Sequence, residues 1–166
     1  MMKSPGWPLI GLILLLSILY FLSFTAVHDF DAMVYALDLE EGRSAIHPHH
    51  ILSQPLQRSL WTLAQALGWT GRAMPVLQMG NLLLGALSLL FLGVAMARIT
   101  RDPWVLLPLL SLWGMCRAFL LVVTDGDVYG LPLALLSASL LSLLSKDSPR
   151  NAVVTGVLHG LACLAH

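Results

Sequence analysis

The sequence predicts an all-α bundle of transmembrane helices with a long first extracytoplasmic loop, and three observations predict it. Apolar runs of about 20 residues recur along the chain, each long enough to cross a hydrocarbon core of about 30 Å. Charge is scarce: 11% of the 166 residues are charged and 57% are hydrophobic, where a soluble domain carries about 25% charged residues. Mean hydropathy is +0.80. Lys and Arg collect between alternate apolar runs, as topology requires of cytoplasmic loops. Helices follow because backbone amides in lipid must be paired within their own segment.

The first run, about 7–27, is too long for the apolar core of a signal peptide, and Phe24 stands where a cleavage site after Ala26 needs a small residue. It reads as an uncleaved span. Further spans are expected at about 76–97, 103–123, 128–144 and 152–166. The last, "AVVTGVLHGLACLAH", is still apolar at His166 and short for a crossing, as expected of the N-terminal piece of a longer protein. The whole of 1–166 reads as one transmembrane domain. Lys3, the Arg98/Arg101 pair and the Lys146/Arg150 pair fall on one side, which puts the N-terminus in the cytoplasm. "TDGDVYG" (124–130) and the long loop of about 28–75 fall on the other side.

That loop is not a linker. Phe30, Met33, Val34 and Leu37 have helical spacing, Asp31, Tyr35 and Asp38 share a face, and Gly42 is a stop signal. Beyond "RSAIHPHHILSQPL" a second amphipathic helix carries Leu56, Leu60, Leu63 and Leu67 as a stripe. With Trp61 and Trp69 it is expected to lie in the membrane interface. Gly80, Gly85 and Gly93 suit close helix packing, and Gly93 with Ala97 makes a small-xxx-small pair. Cys116 and Cys163 lie in apolar spans and read as small hydrophobes. Zero net charge gives no footing to nucleic acid, and no phosphate-binding glycine motif appears.

The chemistry lies in the acidic residues. Seven of nine fall on the outer side: Asp29, Asp31, Asp38, Glu40, Glu41, Asp125 and Asp127. Asp29 and Asp31 follow the first span and Asp125 and Asp127 follow the third, so all four sit at one depth. If the bundle gathers those helix ends, the four form one cluster, able to act as a general base or to hold a hard divalent cation such as Mg or Mn. The plainer reading is that they cap helix ends in water, and it suits Asp38, Glu40 and Glu41 best. Arg117 lies inside the third span. It either pairs with an outer carboxylate or a lipid-borne phosphate, or snorkels to the interface. His47, His49 and His50 of "HPHH" read as a substrate-facing loop, as solvated histidines or, less readily, as metal ligands. His159 and His166 share a face of the last segment with no role assigned.

"HDFDAMVYALDLEEG", "AIHPHH" and "TDGDVYGLPLAL", in this order around a first span and an interfacial loop, resemble the GT-C superfamily of membrane glycosyltransferases. "DVYGLPLAL" and "GVLHGLACLAH" look like stretches of a bacterial branch related to protein O-mannosyltransferases. The resemblance covers nearly the whole chain through short motifs. It implies an integral membrane enzyme that moves a sugar from a polyprenyl-phosphate donor to an acceptor on the outer side, among membrane lipids and without nucleic acid. Asp31, or Asp29, would be the base or orient the acceptor. Tyr35, His47, His49 and Arg117 would line the substrate site, and Asp125 and Asp127 would bind the ion of metal-dependent members. The chain departs from that branch in having Asp127 where Glu is common and HPHH where HPP is common. Two other classes compete: a transporter or channel with a polar path, which the first span's apolar sequence opposes, and a non-catalytic assembly or lipid-binding subunit.

Overall fold

A computed structural model describes residues 6–26, 28–43, 50–100, 102–145 and 148–165. Its chain order is α1 (Gly6–Leu22), α2 (Phe30–Glu40), α3 (Ser53–Ala66), α4 (Met74–Ile99), α5 (Pro103–Met115), α6 (Arg117–Thr124), α7 (Gly130–Leu143) and α8 (Pro149–Ala165). The fold is all-α, with no strand among the described residues. One described helix, α4, is long and apolar enough to cross a membrane. α5 and α6 reach that length together but are bent by 63° at their junction, and α1 and α7 are apolar but shorter. Lys3, His47, His49, Arg101, Lys146 and His166 lie outside the described residues.

Local chemistry sets the helix starts. Asp29 is extended and its carboxylate accepts the Phe30 N–H at 2.7 Å, which opens α2. Asp102 accepts the Trp104 N–H at 2.9 Å ahead of Pro103 and opens α5. Glu40 reaches across the loop to accept the Ala73 N–H at 2.8 Å, where α4 begins. Gly42 stops the α2 segment at φ +69, as its position predicts.

Two sequence expectations are corrected. The first helix ends at Leu22, several residues short of position 27, and residues 23–26 already belong to the connection. The expected straight span over 103–123 is two helices. Cys116 is extended (φ −66, ψ 145) and its N–H closes a tight turn on Trp113 O at 3.2 Å. The bend frees the Gly114 carbonyl from its helical partner, and the buried Tyr20 hydroxyl of α1 donates to it at 2.8 Å. A side chain thus satisfies a backbone group that an apolar interior would otherwise strand. Gly114 has to be glycine for this approach: a Cβ there would lie 2.7 Å from the Tyr20 oxygen and 2.9 Å from Leu16 Cδ1.

α4 is the central helix and packs against α1, α3, α5, α6 and α7. Leu9, Ile13, Leu16 and Tyr20 of α1, Leu82 and Leu89 of α4, Leu110 of α5, and Phe119 and Val123 of α6 form the main core. Gly80, Gly85 and Gly93 let side chains of α3, α6, α1 and α5 seat on α4, in agreement with the sequence. The long helices alternate in direction. At one end Arg98 donates to Leu141 O at 2.8 Å and to the Ser145 hydroxyl. At the other, Gln78 near the start of α4 reaches Thr25 beyond α1 and Thr124 at the end of α6. The Leu52 N–H reaches Leu164 O, so α8 finishes at this end too.

α2 and α3 cover that second end, but not with the faces their apolar residues suggest. α2 buries Ala32, Tyr35 and Ala36 and turns Phe30, Met33 and Leu37 outward, Phe30 being 71% exposed. α3 buries Ser53, Gln57 and Trp61, leaves Leu56 and Leu60 half-buried and exposes Leu63 and Leu67. The polar groups face in because the loop beneath them needs donors.

Candidate functional site

The segment 124–128 joins α6 to α7 at the covered end and is nearly all buried, with Asp125 8% and Asp127 7% exposed. A turn in such a place must have its carbonyls paired. Gln78 Nε2 donates to Thr124 O at 2.8 Å. Asn81 Nδ2 donates to Asp125 O at 2.8 Å and to Asp127 O at 2.6 Å. Gln57 Nε2 lies 3.2 Å from Gly126 O and 3.4 Å from Asp127 O. The Ser53 hydroxyl lies 3.1 Å from Val128 O and 2.6 Å from Ala165 O. Side chains of α3 and α4 therefore reach the carbonyl of every residue from Thr124 to Val128. Gly130 completes the fit, since a Cβ there would lie 2.5 Å from Asn81 Oδ1.

Clamping the backbone fixes the carboxylates. Asp125 Oδ1 accepts the Gly126 N–H at 2.7 Å and lies 2.8 Å from His28 Nδ1, while its Oδ2 accepts the Asp29 N–H at 3.0 Å. Asp127 Oδ1 accepts the Val128 N–H at 2.6 Å. Burial pushes the Asp127 carboxyl up to about 6; the Val128 N–H opposes the rise, and the charges of Asp29, Asp125 and Asp31 add to it. Tyr35 of α2 is pushed up to about 12 by burial first, and then by Asp31 and Asp127 among neighbouring groups. His50 lies between two phenol rings, with centroids 6.0 Å from Tyr35 and 6.4 Å from Tyr129.

Two acidic stretches almost a hundred residues apart thus meet at one place. Asp29 and Asp31 are exposed at its rim, and Asp125 and Asp127 are buried beneath. Tyr35 joins them. The other three acids of the 28–75 segment do other work: Glu40 pairs with Arg72 at 3.3 Å, Asp38 lies 3.8 Å from Arg43, and Glu41 also pairs with Arg43.

Arg117 is not part of the cluster. It is exposed at the start of α6, whose length separates it from Asp125 by about 12 Å along the helix axis. It makes no hydrogen bond or ion pair among the described residues, so the pairing with an outer carboxylate is not realised. The donor set also bears on a cation. Among the described residues no three of His, Cys, Asp and Glu are grouped as metal ligands. An ionised carboxylate offers about four acceptor positions, and three protein N–H groups or ring nitrogens already use those of Asp125. That leaves Asp125 about one free acceptor position.

The sequence reading missed His28, Ser53, Gln57, Gln78 and Asn81. Gln78 and Asn81 left a signal: two amides three residues apart in an otherwise apolar helix share a face and need partners. His28 left only its adjacency to Asp29. No protein-family model matches the chain, and no curated protein or solved structure matches it either.

Proposed function

We propose that the protein is a polytopic membrane glycosyltransferase of the GT-C kind, or the part of one that carries its acidic site, and that it moves a sugar from a polyprenyl-phosphate donor to an acceptor on the outer side of the membrane. The observation that carries this reading is the 3.0 Å bond from the Asp29 N–H to Asp125 Oδ2. It joins the two acidic motifs, and the helix ends that bear them, at one end of an apolar bundle.

Membrane embedding is supported by the bundle's outside. Leu14 and Leu15 of α1, Leu109 and Leu112 of α5, and Val153 and Val157 of α8 are all exposed. Soluble monomers rarely expose contiguous apolar patches beyond a few hundred Å². Arg98 and Arg150 lie at the end opposite the acidic cluster, in keeping with a cytoplasmic side there.

In this reading the acceptor oxygen attacks the anomeric carbon, the bond from that carbon to the phosphate oxygen breaks, and the acceptor proton passes to a base of the cluster. Asp31 is exposed at the rim and its carboxylate makes no hydrogen bond among the described residues, which leaves it able to orient an acceptor. Arg117 lies on the apolar outer surface, where it suits the phosphate of a lipid-borne donor. A transport reading draws on one observation, the 63° break between α5 and α6. The packed layer of Leu82, Leu89, Phe119 and Val123 below the site opposes it.

The test is transfer from a polyprenyl-phosphate sugar by the protein in vesicles, beside the Asp31→Asn and Arg117→Ala variants. We expect both to lose transfer. Transfer by Asp31→Asn at the unaltered rate would remove that residue from the reaction, and a protein inert toward every such donor would end the reading.

A further inference from the structure

We propose that His28 is the proton acceptor of this site through its Nε2, and that Asp125 is the positioning residue behind it; the substrate in this proposal rests on the glycosyl-transfer reading. The pair is a built one. Asp125 Oδ1 lies 2.8 Å from His28 Nδ1. The carboxylate cannot swing away, because the Gly126 and Asp29 N–H groups hold its two oxygens and Asn81 holds its carbonyl. An ionised carboxylate only accepts hydrogen bonds, so in the neutral imidazole the hydrogen sits on Nδ1 and the lone pair on Nε2. This is the orientation that a carboxylate behind a histidine imposes in acyl-transfer sites and around metals.

Position supports the role. The His28 side chain is 19% exposed and that of Asp125 is 11% exposed, so the histidine is the more accessible member of the pair. Asp29 and Asp31 are at the same rim. The neighbouring face of α4 offers Gln78 and Asn81, which are neutral and already committed to backbone carbonyls. The proton balance is simple. As the acceptor hydroxyl bonds to the anomeric carbon, its proton moves to the Nε2 lone pair. The pair of electrons from the broken carbon–oxygen bond stays on the leaving phosphate, which takes the proton back from the imidazolium. Asp31 then orients the acceptor rather than deprotonating it.

Two variants separate this role from a structural one. In His28→Asn the amide can still donate to Asp125 but has no group in the place of Nε2; in His28→Gly the ring is gone and added imidazole can replace it. We expect His28→Asn to fold and to lose about 10²–10⁴-fold in transfer rate, and His28→Gly to regain transfer with imidazole. His28→Asn transferring at the wild-type rate would overturn the proposal while leaving glycosyl transfer in place. A readout without a sugar makes the two failures distinguishable. Diethylpyrocarbonate acylates a free imidazole nitrogen, and peptide mass spectrometry reads it at His28. Labelling in the wild type that is slowed in Asp125→Asn supports the proposal even if no donor is turned over. A folded wild type with His28 unlabelled overturns it.

Discussion

The two halves of α4 have nearly the same environment and opposite chemistry. From Gln78 to Asn81 the inward face carries amides that hold carbonyls of other segments. From Gly85 to Ala95 the inward face is Gly85, Ser88, Leu89, Gly93 and Ala95, small or apolar, and neighbouring helices lie directly on it. One half fixes a loop, the other fixes helices. A loop inside an apolar bundle needs one donor for each carbonyl it cannot expose to water, whereas helices arrive with their backbone already paired.

The largest effect is expected where that difference is erased. Asn81→Leu removes the donor to Asp125 O and Asp127 O together. Asp125 O is then left unpaired, at about 1–3 kcal/mol, and Asp127 O keeps only the 3.4 Å contact with Gln57 Nε2, which adds a further part of that cost. We expect a sharply lower thermal midpoint in detergent, together with loss of any activity that needs the acidic cluster. An unchanged midpoint would show that the loop does not depend on α4.

Asp127→Asn moves the other way. The folded carboxyl titrates near 6 against an ordinary value of 3.8, so the folded state holds a proton that the unfolded state has released between those values. The protein therefore loses stability as pH rises from about 4 to about 6. Asparagine keeps an acceptor for the Val128 N–H and has nothing to ionise. The variant is expected to gain on the order of 2–3 kcal/mol over the wild type above about pH 7, with the gap closing below about pH 4. Unfolding midpoints across that range check it, and a gap constant with pH would contradict it.

In the lower half the sensitive position is Gly85, where an added Cβ would overlap the Val123 side chain on α6. Gly85→Ala is expected to cost about 1–3 kcal/mol through forced repacking. It should leave the protection of the 124–128 amides from hydrogen exchange unchanged, which Asn81→Leu should not.

These contrasts also mark what could be read in advance. α2 was legible because its signals are local: helical spacing from Phe30 to Leu37 and Gly42 after it. The gathering of Asp29, Asp31, Asp125 and Asp127 was legible only in part: the sequence sets all four beside helix ends, and whether those ends meet is decided by helix packing, which brings the Asp29 N–H to Asp125 Oδ2. The break at Cys116 was not legible. No proline marks it, and the hydroxyl that satisfies Gly114 comes from Tyr20 in another helix. The faces of α2 and α3 misled for a related reason. Their apolar residues have the right spacing, but the inward side is chosen by a loop that needs Ser53 and Gln57, and that demand appears only once α6 and α7 are in place.

The smallest effect probes a buried hydroxyl pair in the lower half of α4. The Ser88 hydroxyl lies 2.7 Å from the Ser137 hydroxyl of α7, both side chains being buried. If α4 were polar throughout for the sake of its partners, Ser88→Ala would behave as a small Asn81→Leu. It should not, because each serine can turn its hydroxyl to its own helix backbone. Interhelical pairs of this kind average about 0.6 kcal/mol within membranes, and alanine adds no volume to the contact. We expect a thermal shift at the edge of detection, the same at all pH values. A loss as large as that of Gly85→Ala would mean that the hydroxyl pair, and not the close approach of small residues, holds α7 to α4.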